Sequence, residues 1–224
     1  MPPLFENRKD AGRQLAGLLA PLAARPKVVV LGLPRGGVPV AAEIAAALDV
    51  PLDVFVVRKI GAPGHEELAM GAVASGGVRV VHEPVVRELR VSRSEFEAAT
   101  ARELDEVHRR ERAYRDGRPF PDLRGATVVL VDDGVATGAT MFAAILALRQ
   151  FAPAEVIVAA PLMAREAHRT LAQAADQCIC LSVPEPFYGV GVHYVNFAQT
   201  SDDEVRDFLR RGHHPATLPR AAGG

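Results

Sequence analysis

The chain has 224 residues, of which 49% are hydrophobic and 24% are charged, with a formal net charge of -1. This size favours one globular domain with a substantial core, since domains of ~100–200 residues are the norm. The near-neutral charge provides no overall field to attract nucleic acid or an anionic membrane. No apolar run approaches the roughly 18–20 residues of a membrane span, and the N-terminal residues lack the apolar stretch of a signal peptide. We therefore expect a cytoplasmic protein.

The predicted elements alternate between helices and strands along the chain. The predicted helices cover residues 8–24, 38–48, 92–114, 141–150, 165–174 and 202–211. The predicted strands cover residues 28–33, 53–60, 78–81, 127–131, 155–160 and 178–182. Residues 61–77 contain too many glycines for a helix and too few turn signals for a tight hairpin.

This alternation predicts an α/β fold with an open parallel-stranded sheet flanked by helices. We expect a single domain over residues 1–212 and a flexible tail over residues 213–224. The long charged helix at residues 92–114 begins with a possible capping box of Ser92 and Glu95. Its thin apolar stripe is typical of a surface helix or of one that bridges subunits. Acidic residues intersperse its basic run, so a solvated face is a better interpretation than a nucleic-acid surface.

The cysteines and histidines indicate no metal site. Cys178 and Cys180 lie two residues apart in a predicted strand, so they point to one face, with poor geometry for a mutual disulfide. No further metal ligand lies nearby in the sequence, and we expect ordinary buried thiols. The seven histidines are scattered without zinc-ligand spacing.

Two adjacent carboxylates, Asp132 and Asp133, follow the predicted strand at residues 127–131, and the stretch GVATGAT leads into the next helix. Small residues let backbone N–H groups converge on a phosphate, and the start of a helix adds a favourable dipole. Thr137 and Thr140 can donate hydrogen bonds to the same phosphate. Adjacent acids beside a phosphate need another partner, such as the paired hydroxyls of a sugar or Mg²⁺. A helix N-cap with a glycine turn would explain one aspartate but not both.

The segment VVLVDDGVATGAT at residues 128–140 resembles the signature with which type I phosphoribosyltransferases bind 5-phosphoribosyl-1-diphosphate (PRPP). The one departure is Gly134, which stands where an aliphatic residue is usual. By that resemblance, Asp132 and Asp133 hold the ribose 2- and 3-hydroxyls. The rest of the implied PRPP-binding loop, which cradles the 5-phosphate from Ala136 onwards, consists of Gly134, Val135, Ala136, Thr137, Gly138, Ala139 and Thr140.

A second loop, LPRGG at residues 33–37, follows the first predicted strand. Gly36 and Gly37 permit close backbone approach, and Arg35 brings a fixed positive charge. Alone, the loop is typical of a plain turn. Beside the acidic motif, it resembles the diphosphate-binding loop of the same family, especially the Ser-Arg-Gly-Gly form of xanthine-type members, with Pro34 in place of the serine. The family often has a cis peptide in this loop, which the sequence does not reveal.

A third loop, VRKIGAPGHEEL at residues 57–68, corresponds in order to the mobile loop that closes over the active site in the family. The resemblance implies that Arg58 and Lys59 neutralise the leaving diphosphate. A solvated surface loop with ordinary charges is the alternative interpretation.

The segment at residues 184–197, the hood, lies where type I enzymes place a variable region that selects the acceptor base. Phe187, Tyr188 and Tyr194 would either stack on a flat heterocycle or cap the sheet as core aromatics. Phe187 and Tyr188 are our candidate acceptor-binding residues. The resemblance covers residues 28–182 and does not include the hood or the long charged helix.

The resemblance implies a Mg²⁺-dependent enzyme of nucleotide salvage that transfers the 5-phosphoribosyl group from PRPP to a nitrogen nucleophile, such as a nucleobase, and releases diphosphate. Asp132 and Asp133 would hold Mg²⁺, directly or through ribose hydroxyls and water. We expect a homodimer that binds neither nucleic acid nor membrane. The candidate catalytic residues are Asp132, Asp133, Arg35, Lys59, Glu66 and Glu67.

Two other functions agree less well with the sequence. A non-catalytic PRPP-binding regulatory protein would keep the phosphate loop, but such regulators tend to carry a nucleic-acid surface, which the near-neutral charge disfavours. In a nucleotide-dependent oxidoreductase, the G-x-G-x-x-G spacing and a later ribose-binding acid are expected, and GLPRGG does not provide them.

In 6-oxopurine members of the family, an acidic residue precedes the Thr-Gly of the phosphate loop and exchanges a proton with the purine. Here that position is Ala136, as in adenine-type members. A methyl group cannot act as an acid or base, so His65, Glu66 and Glu67 on the third loop are the nearest candidates. We expect poor use of hypoxanthine and guanine, and the sequence leaves the true acceptor open.

Overall fold

A computed structural model of the chain describes residues 3–212, excluding the side chains of Glu66 and Glu67. The helices are α1 Arg8–Leu19, α2 Gly37–Leu48, α3 Glu83–Glu88, α4 Arg93–Arg115, α5 Ala139–Arg149, α6 Arg165–Ala174 and α7 Asp202–Arg211. The strands are β1 Val28–Gly32, β2 Leu52–Val54, β3 Val57–Ala62, β4 His65–Ala74, β5 Val78–Val81, β6 Thr127–Val131, β7 Glu155–Leu162 and β8 Gln177–Ser182. The tail predicted over residues 213–224 lies outside the described residues.

Five strands form a parallel sheet in the order β2-β1-β6-β7-β8. Strands such as VVVLG in β1 and TVVLV in β6 are buried on both faces because helices cover both sides of the sheet. Helices α1, α2 and α7 pack on one face, and α5 and α6 pack on the other. The predicted α/β fold is confirmed.

The strand order reverses between β1 and β6. From β1 the chain moves outward to β2, and it later returns to the other side of β1 with β6. The two central strands pair in register, from Val28 opposite Thr127 to Gly32 opposite Val131, so they end level with each other. In open α/β sheets, ligands bind beyond the carboxyl ends of the strands at such a switch point.

Residues 57–81 form a second sheet that the sequence analysis did not predict. The strand expected at residues 53–60 is divided between β2 in the main sheet and β3 in an antiparallel sheet of β3, β4 and β5. A tight turn joins β3 to β4, with Ala62 paired to His65 and Gly64 at a φ of 74°. The expectation that residues 61–77 form no tight hairpin was therefore wrong. One glycine supplies the left-handed turn, and Gly71 lets β5 approach closely, since a Cβ there would lie 2.3 Å from the carbonyl oxygen of Val80.

Helix α4 has the predicted capping box. The N–H of Ser92 donates to Glu95 Oε2 at 2.9 Å, and the N–H of Glu95 donates to Ser92 Oγ at 3.3 Å. Phe96, Val107 and Tyr114 join the core on the α1–α2–α7 side. The short helix α3 before it was not predicted. No helix within residues 3–212 is both long and apolar enough to span a bilayer.

Cys178 and Cys180 are free and half-buried on β8, where both pack against the core on the α5–α6 side. Burial raises the pKa of the Cys178 thiol to about 11. The two thiols are free, as expected, but they are half-buried where the sequence predicted buried ones.

A buried arginine fixes the C-terminal end of α4. The Nε of Arg115 donates to Asp53 Oδ1 at 3.0 Å, and its Nη2 donates to the carbonyl of Val54 at 2.8 Å. Its Nη1 pairs with Glu111, and the guanidinium lies over the ring of Phe120. Burial raises the pKa of Asp53, and the charge of Arg115 opposes that shift. These contacts tie α4 to the point where the chain leaves the main sheet for the second one.

Replacing Arg115 should destabilise the fold strongly. Arg115→Met leaves the partly buried Asp53 and Glu111 without their cation, which should lower the free energy of unfolding by about 3 kcal/mol, near the lower end of the range for breaking a buried pair. Arg109→Met is the matched control, because Arg109 is 57% exposed and pairs with Glu106 on the same helix. That change should cost less than ~1 kcal/mol. Urea unfolding of both variants measures the difference, and equal stabilities would contradict the assigned role of Arg115.

Candidate functional site

The candidate site lies where two loops meet at the switch point of the main sheet. β1 ends at Gly32, and the glycine loop (residues 33–36) leads into α2. β6 ends at Val131, and the acidic loop (residues 132–138) leads into α5. The N–H of Leu33 donates to the carbonyl of Val131 at 2.8 Å, so the loops are in contact from their first residues.

Gly36 and Gly37 let the first of these segments rest directly on the second. A Cβ at Gly36 would lie 2.1 Å from Asp133 Oδ2. A Cβ at Gly37 would lie 2.5 Å from the carbonyl oxygen of Val131 and 2.9 Å from the Cα of Asp132. The neighbours of Gly37 are backbone atoms that cannot rotate away, so any side chain at that position would push the segments apart.

Asp132 and Asp133 are partly buried side by side. Asp132 Oδ1 accepts the N–H of Asp133 at 2.9 Å. Burial raises the pKa of Asp132 well above its usual range, and the neighbouring carboxylate raises it further. Burial also raises the pKa of Asp133, while Arg8 opposes that shift by donating from Nε to Asp133 Oδ2 at 2.7 Å. Such a pair favours a partner that supplies hydroxyl donors or positive charge.

The acidic loop ends in a turn of small residues before α5. Gly138 precedes the helix with a φ of 76°, a conformation that glycine adopts readily. N–H groups in the first turn of a helix lack intrahelical partners and attract an anion. The exposed residues around this turn are Ala136, Thr137, Ala139 and Thr140. The predicted turn of small residues before a helix N-terminus is therefore present.

Gly134 and Val135 anchor the acidic loop to its surroundings. The side chain of Val135 is buried, and its backbone pairs with Met163 just beyond β7. A Cβ at Gly134 would lie 2.5 Å from Cγ1 of Val190. Val190 of the hood thus fills the space beside Gly134 that a side chain at that position would need. This contact explains the departure from the family pattern at Gly134.

Arg35 lies at the edge of the site after a cis peptide bond that joins it to Pro34. Its Nη1 is 3.7 Å from Asp202 Oδ1 at the start of α7, and the hydroxyl of Tyr114 donates to the same oxygen at 2.8 Å. The Arg35–Asp202 separation is longer than a hydrogen bond, so the pair is loose. Arg35 is part of the glycine loop, and within the described part of the chain its guanidinium makes only this loose contact with Asp202, so it has donors to offer to an anion.

The charged residues of the β3–β4 hairpin are distributed over different faces. Arg58 Nε donates to Glu103 Oε2 of α4 at 2.8 Å, so the structure does not bring Arg58 together with the carboxylates of the acidic loop. Lys59 follows on β3 and points to the opposite face, as alternation along a strand requires. Glu66 and Glu67 belong to β4, but their side chains lie outside the described part of the structure.

The hood packs against the start of the chain and against the acidic loop. The N–H groups of Leu4 and Phe5 donate to the carbonyl of His193 at 2.8 and 3.1 Å. The Tyr194 ring is buried against Phe5, and its hydroxyl donates to the carbonyl of Asp133 at 2.6 Å. Tyr194 is therefore a core aromatic.

The two candidate acceptor-binding residues differ in exposure. Phe187 packs partly buried against the hood cluster, whereas Tyr188 is 82% exposed. Tyr188 lines an open groove of about 350 Å³ together with Pro186, Val192 and His193. His193 is only 4% exposed, and its Nε2 has no hydrogen-bond partner among the described residues. Burial lowers the pKa of His193, and the positive charge of the N-terminus lowers it further. The Nε2 atom is itself shielded from solvent, so a ligand or water would reach it only if the lining of the groove shifts.

Arg8, Asp202 and the particular position of His193 were not predicted from the sequence. Arg8 is separated from Asp133 by 125 residues, so no local spacing connects them. Asp202 reaches Arg35 only because α7 returns to the same edge of the sheet. The sequence does place His193 inside the aromatic-rich hood. That position alone did not single it out from the other histidines.

Comparison with known proteins supports the family interpretation of the motif at residues 128–140. The phosphoribosyl transferase domain family matches residues 6–195. Two curated relatives from Mycobacterium tuberculosis, strains CDC 1551 and H37Rv, carry provisional names as phosphoribosyl transferases and are 48% identical over 210 residues. The match covers 94% of this chain and 47% of each relative. The chain therefore spans about half the length of the curated relatives it matches.

Solved structures share the architecture. The crystal structure of TT1426 from Thermus thermophilus is 43% identical with a TM-score of 0.85, and the match covers 96% of this chain and 100% of that chain. AQ2163 from Aquifex aeolicus is 14% identical with a TM-score of 0.50, over 90% of this chain and 84% of that chain, and shares the fold alone. The chain belongs to the phosphoribosyltransferase domain family, as the motif at residues 128–140 predicts.

A side chain at Gly37 should disrupt the junction of the two loops. Gly37→Ala should lower the free energy of unfolding by about 1–3 kcal/mol, because the new Cβ would meet the backbone of residues 131 and 132. Gly17→Ala is the matched control, since nothing lies within 4 Å of a Cβ at that position in α1. There alanine should stabilise the helix by roughly 0.5–1 kcal/mol. Urea unfolding measures both changes, and a Gly37→Ala variant as stable as the natural protein would contradict the close approach.

Proposed function

We propose that the protein transfers the 5-phosphoribosyl group of PRPP to a nitrogen nucleophile and releases diphosphate. The observation that carries this proposal is the junction of the glycine and acidic loops at the switch point of the sheet. A carboxylate pair, an arginine beside two glycines and the first turn of α5 converge there. Membership of the phosphoribosyltransferase domain family supports the same chemistry.

PRPP carries anionic groups at both ends of a sugar, and each part has a partner in this junction. The turn at residues 136–140 takes the 5-phosphate through backbone N–H groups and threonine hydroxyls. Asp132 and Asp133 accept hydrogen bonds from the ribose hydroxyls. Arg35 and the backbone of Gly36 and Gly37 take the diphosphate, because charge-assisted donors suit phosphate oxygens.

The chemistry of the carboxylate pair fits Mg²⁺. Mg²⁺ prefers oxygen ligands and is held by one or two carboxylates together with substrate phosphates and water. Asp132 and Asp133 supply two such carboxylates. No group of three or more His, Cys, Asp or Glu gathers among the residues described, at this site or at another, so substrate and water would supply the remaining ligands. Asp132 and Asp133 would therefore hold the ion, directly or through ribose hydroxyls and water. A bound Mg²⁺ supplies positive charge beside the leaving diphosphate.

The residues of the site act on a reaction in which charge separates. The bond from C1 to the diphosphate oxygen breaks as the nitrogen approaches, so positive charge develops on the ribose and negative charge on the leaving group. Asp132 and Asp133 stabilise the positive charge on the ribose. Arg35 and Lys59 stabilise the negative charge on the diphosphate. Met70, Val73 and Ala74 are buried in the core, so within residues 61–74 only the hairpin tip around Gly64 is free to close over the site. Its closure would exclude water that otherwise attacks the cation. Arg58 joins this group only if its pair with Glu103 opens.

We assign the acceptor to the hood. A nucleobase presents a flat face, which suits the exposed ring of Tyr188, and hydrogen-bonding ring nitrogens. The unpaired Nε2 of His193 would become a partner for such a nitrogen once the lining of the groove shifts to uncover it. Phe187, whose ring centroid lies 6.0 Å from that of His193, supports the groove from behind. Val190 and Tyr194 join the same hood to the acidic loop, so the acceptor and ribose sites are neighbours.

PRPP should stabilise the protein. A ligand that binds only the folded state at about 100 times its dissociation constant adds about 2.7 kcal/mol to the free energy of unfolding. Thermal unfolding with Mg²⁺ and millimolar PRPP should show this shift, and Asp133→Asn should reduce it because the amide is similar in shape but uncharged. No shift with PRPP would reject the phosphate-loop assignment.

Diphosphate release, measured with PRPP, Mg²⁺ and a panel of nucleobases and small amines, tests the transfer itself. PRPP binding without release for any acceptor would favour the non-catalytic regulatory function.

Hypoxanthine and guanine should be poor acceptors, because Ala136 cannot exchange a proton with a 6-oxopurine. We also expect that replacing both Glu66 and Glu67 by Gln lowers turnover more than PRPP affinity. Steady-state rates with hypoxanthine, guanine and the acceptor found in the panel provide the comparison. Efficient use of either 6-oxopurine would reject the substrate prediction. Unchanged turnover of the double Gln variant would reject the role of the two glutamates.

A further inference from the structure

One arginine connects α1, the acidic loop and the hood. Arg8 is the first residue of α1, and its side chain is only 12% exposed. Its Nε donates to Asp133 Oδ2 at 2.7 Å, and its Nη1 donates to the carbonyl of Ala198 at 2.7 Å. The guanidinium carbon lies 3.9 Å from the centroid of the Phe197 ring. Three contacts in different directions leave the guanidinium little freedom.

The Asp133 carboxylate is confined between Arg8 and the glycine loop. Arg8 binds Oδ2, and that same oxygen would lie 2.1 Å from a Cβ at Gly36, so the backbone of Gly36 closes the other side. The hydroxyl of Tyr194 holds the Asp133 carbonyl. A solvated aspartate samples several rotamers. Here the Tyr194 hydroxyl fixes the backbone carbonyl of Asp133, and Arg8 fixes its Oδ2 atom, so the carboxylate has few rotamers available.

We propose that Arg8 is a positioning residue for the ribose. It fixes the Asp133 carboxylate through Oδ2, so that the other oxygen, Oδ1, is oriented toward a ribose hydroxyl. This inference rests on the proposed function, in which Asp133 binds the sugar. Ordering the carboxylate before the substrate arrives lowers the entropic cost of binding it.

The chemistry of the side chain explains why an arginine occupies this position. A guanidinium is planar, so it donates in fixed directions to a carboxylate and a carbonyl while its face stacks on an aromatic ring. A lysine ammonium provides the charge but neither the fixed directions nor the stacking. The next residue, Lys9, lies near the ring of Phe208 instead, so it does not duplicate these contacts.

The contacts of Arg8 also connect the Asp133 carboxylate with the hood, where we place the acceptor. Phe197 and Ala198 adjoin the hood, and Phe197 stacks on Tyr194, which reaches Asp133 from the other side. A shift of the hood would therefore move Arg8, and Arg8 would transmit that shift to the ribose carboxylate.

Calorimetric titration with three probes tests the proposal: PRPP, ribose 5-phosphate and diphosphate, each with Mg²⁺. Arg8→Met should weaken ribose 5-phosphate and PRPP by about tenfold or more, since it removes a charged hydrogen bond that orders the sugar partner. Diphosphate affinity should fall much less, because in the proposed complex diphosphate is linked to Asp133 only through Mg²⁺ and not by a direct contact. Arg8→Lys should recover part of the lost affinity by restoring the charge.

Two further variants separate positioning from a general structural effect. Arg13→Met is the matched control on α1, because Arg13 is 61% exposed and lies 3.8 Å from Asp10. It should bind all three probes normally. In an Asp133→Asn background, Arg8→Met should cause little further loss, because the residue through which Arg8 acts is already impaired.

Two results would overturn the proposal. One is equal weakening of ribose 5-phosphate and diphosphate by Arg8→Met, and the other is an undiminished effect of Arg8→Met in the Asp133→Asn background. If Arg8→Met does not fold, Arg8→Lys and Arg8→Gln provide the same comparison. Failure of the natural protein to bind any probe would instead reject the proposed function. The unfolding free energies of Arg8→Met, Asp133→Asn and the double variant would then still test the contact, and additive changes would contradict it.

Discussion

The direct contact between the glycine loop and the acidic loop is the constraint on which the rest of the site depends. Because Gly36 and Gly37 have no Cβ, the Asp133 carboxylate and the backbone at residues 131–132 occupy that space. The in-register pairing of β1 with β6 brings the two loops level at the sheet edge. The junction therefore brings together the turn before α5, two acidic residues and an arginine. Their closeness follows from backbone contact between the two loops.

The hood is coupled to this junction rather than merely covering it. Val190 fills the space beside Gly134, Tyr194 donates to the carbonyl of Asp133, and Arg8 joins the Asp133 carboxylate to Phe197. A larger residue at position 134 would force the hood away. The same contacts place a groove with an unpaired buried nitrogen on a segment that is attached to the carboxylate pair.

The long charged helix α4 has a structural role that its composition alone does not suggest. Its apolar stripe packs on the second sheet, Glu103 holds Arg58 of β3, and Arg115 holds the end of β2. The base of the β3–β4 hairpin is thereby tied to α4, while its tip at residues 63–64 projects beyond these contacts. Charges on α4 are divided between such internal pairs and solvent, which agrees with the interpretation of a solvated face.

The sequence by itself determined the order of most helices and strands, the acidic motif and the turn before α5, because each depends on side-chain periodicity or on contiguous residues. The prediction for residues 61–77 was wrong, because the many glycines were taken as evidence against a tight hairpin. In the structure one of these glycines forms the turn of the hairpin, and another allows a close contact between strands. The tertiary structure alone decided that Arg58 pairs with Glu103, that Val190 compensates for Gly134, and that Arg8 lies against Asp133. These contacts join segments far apart in the chain, and ion pairs and close packing depend on spatial distances that spacing along a sequence does not encode.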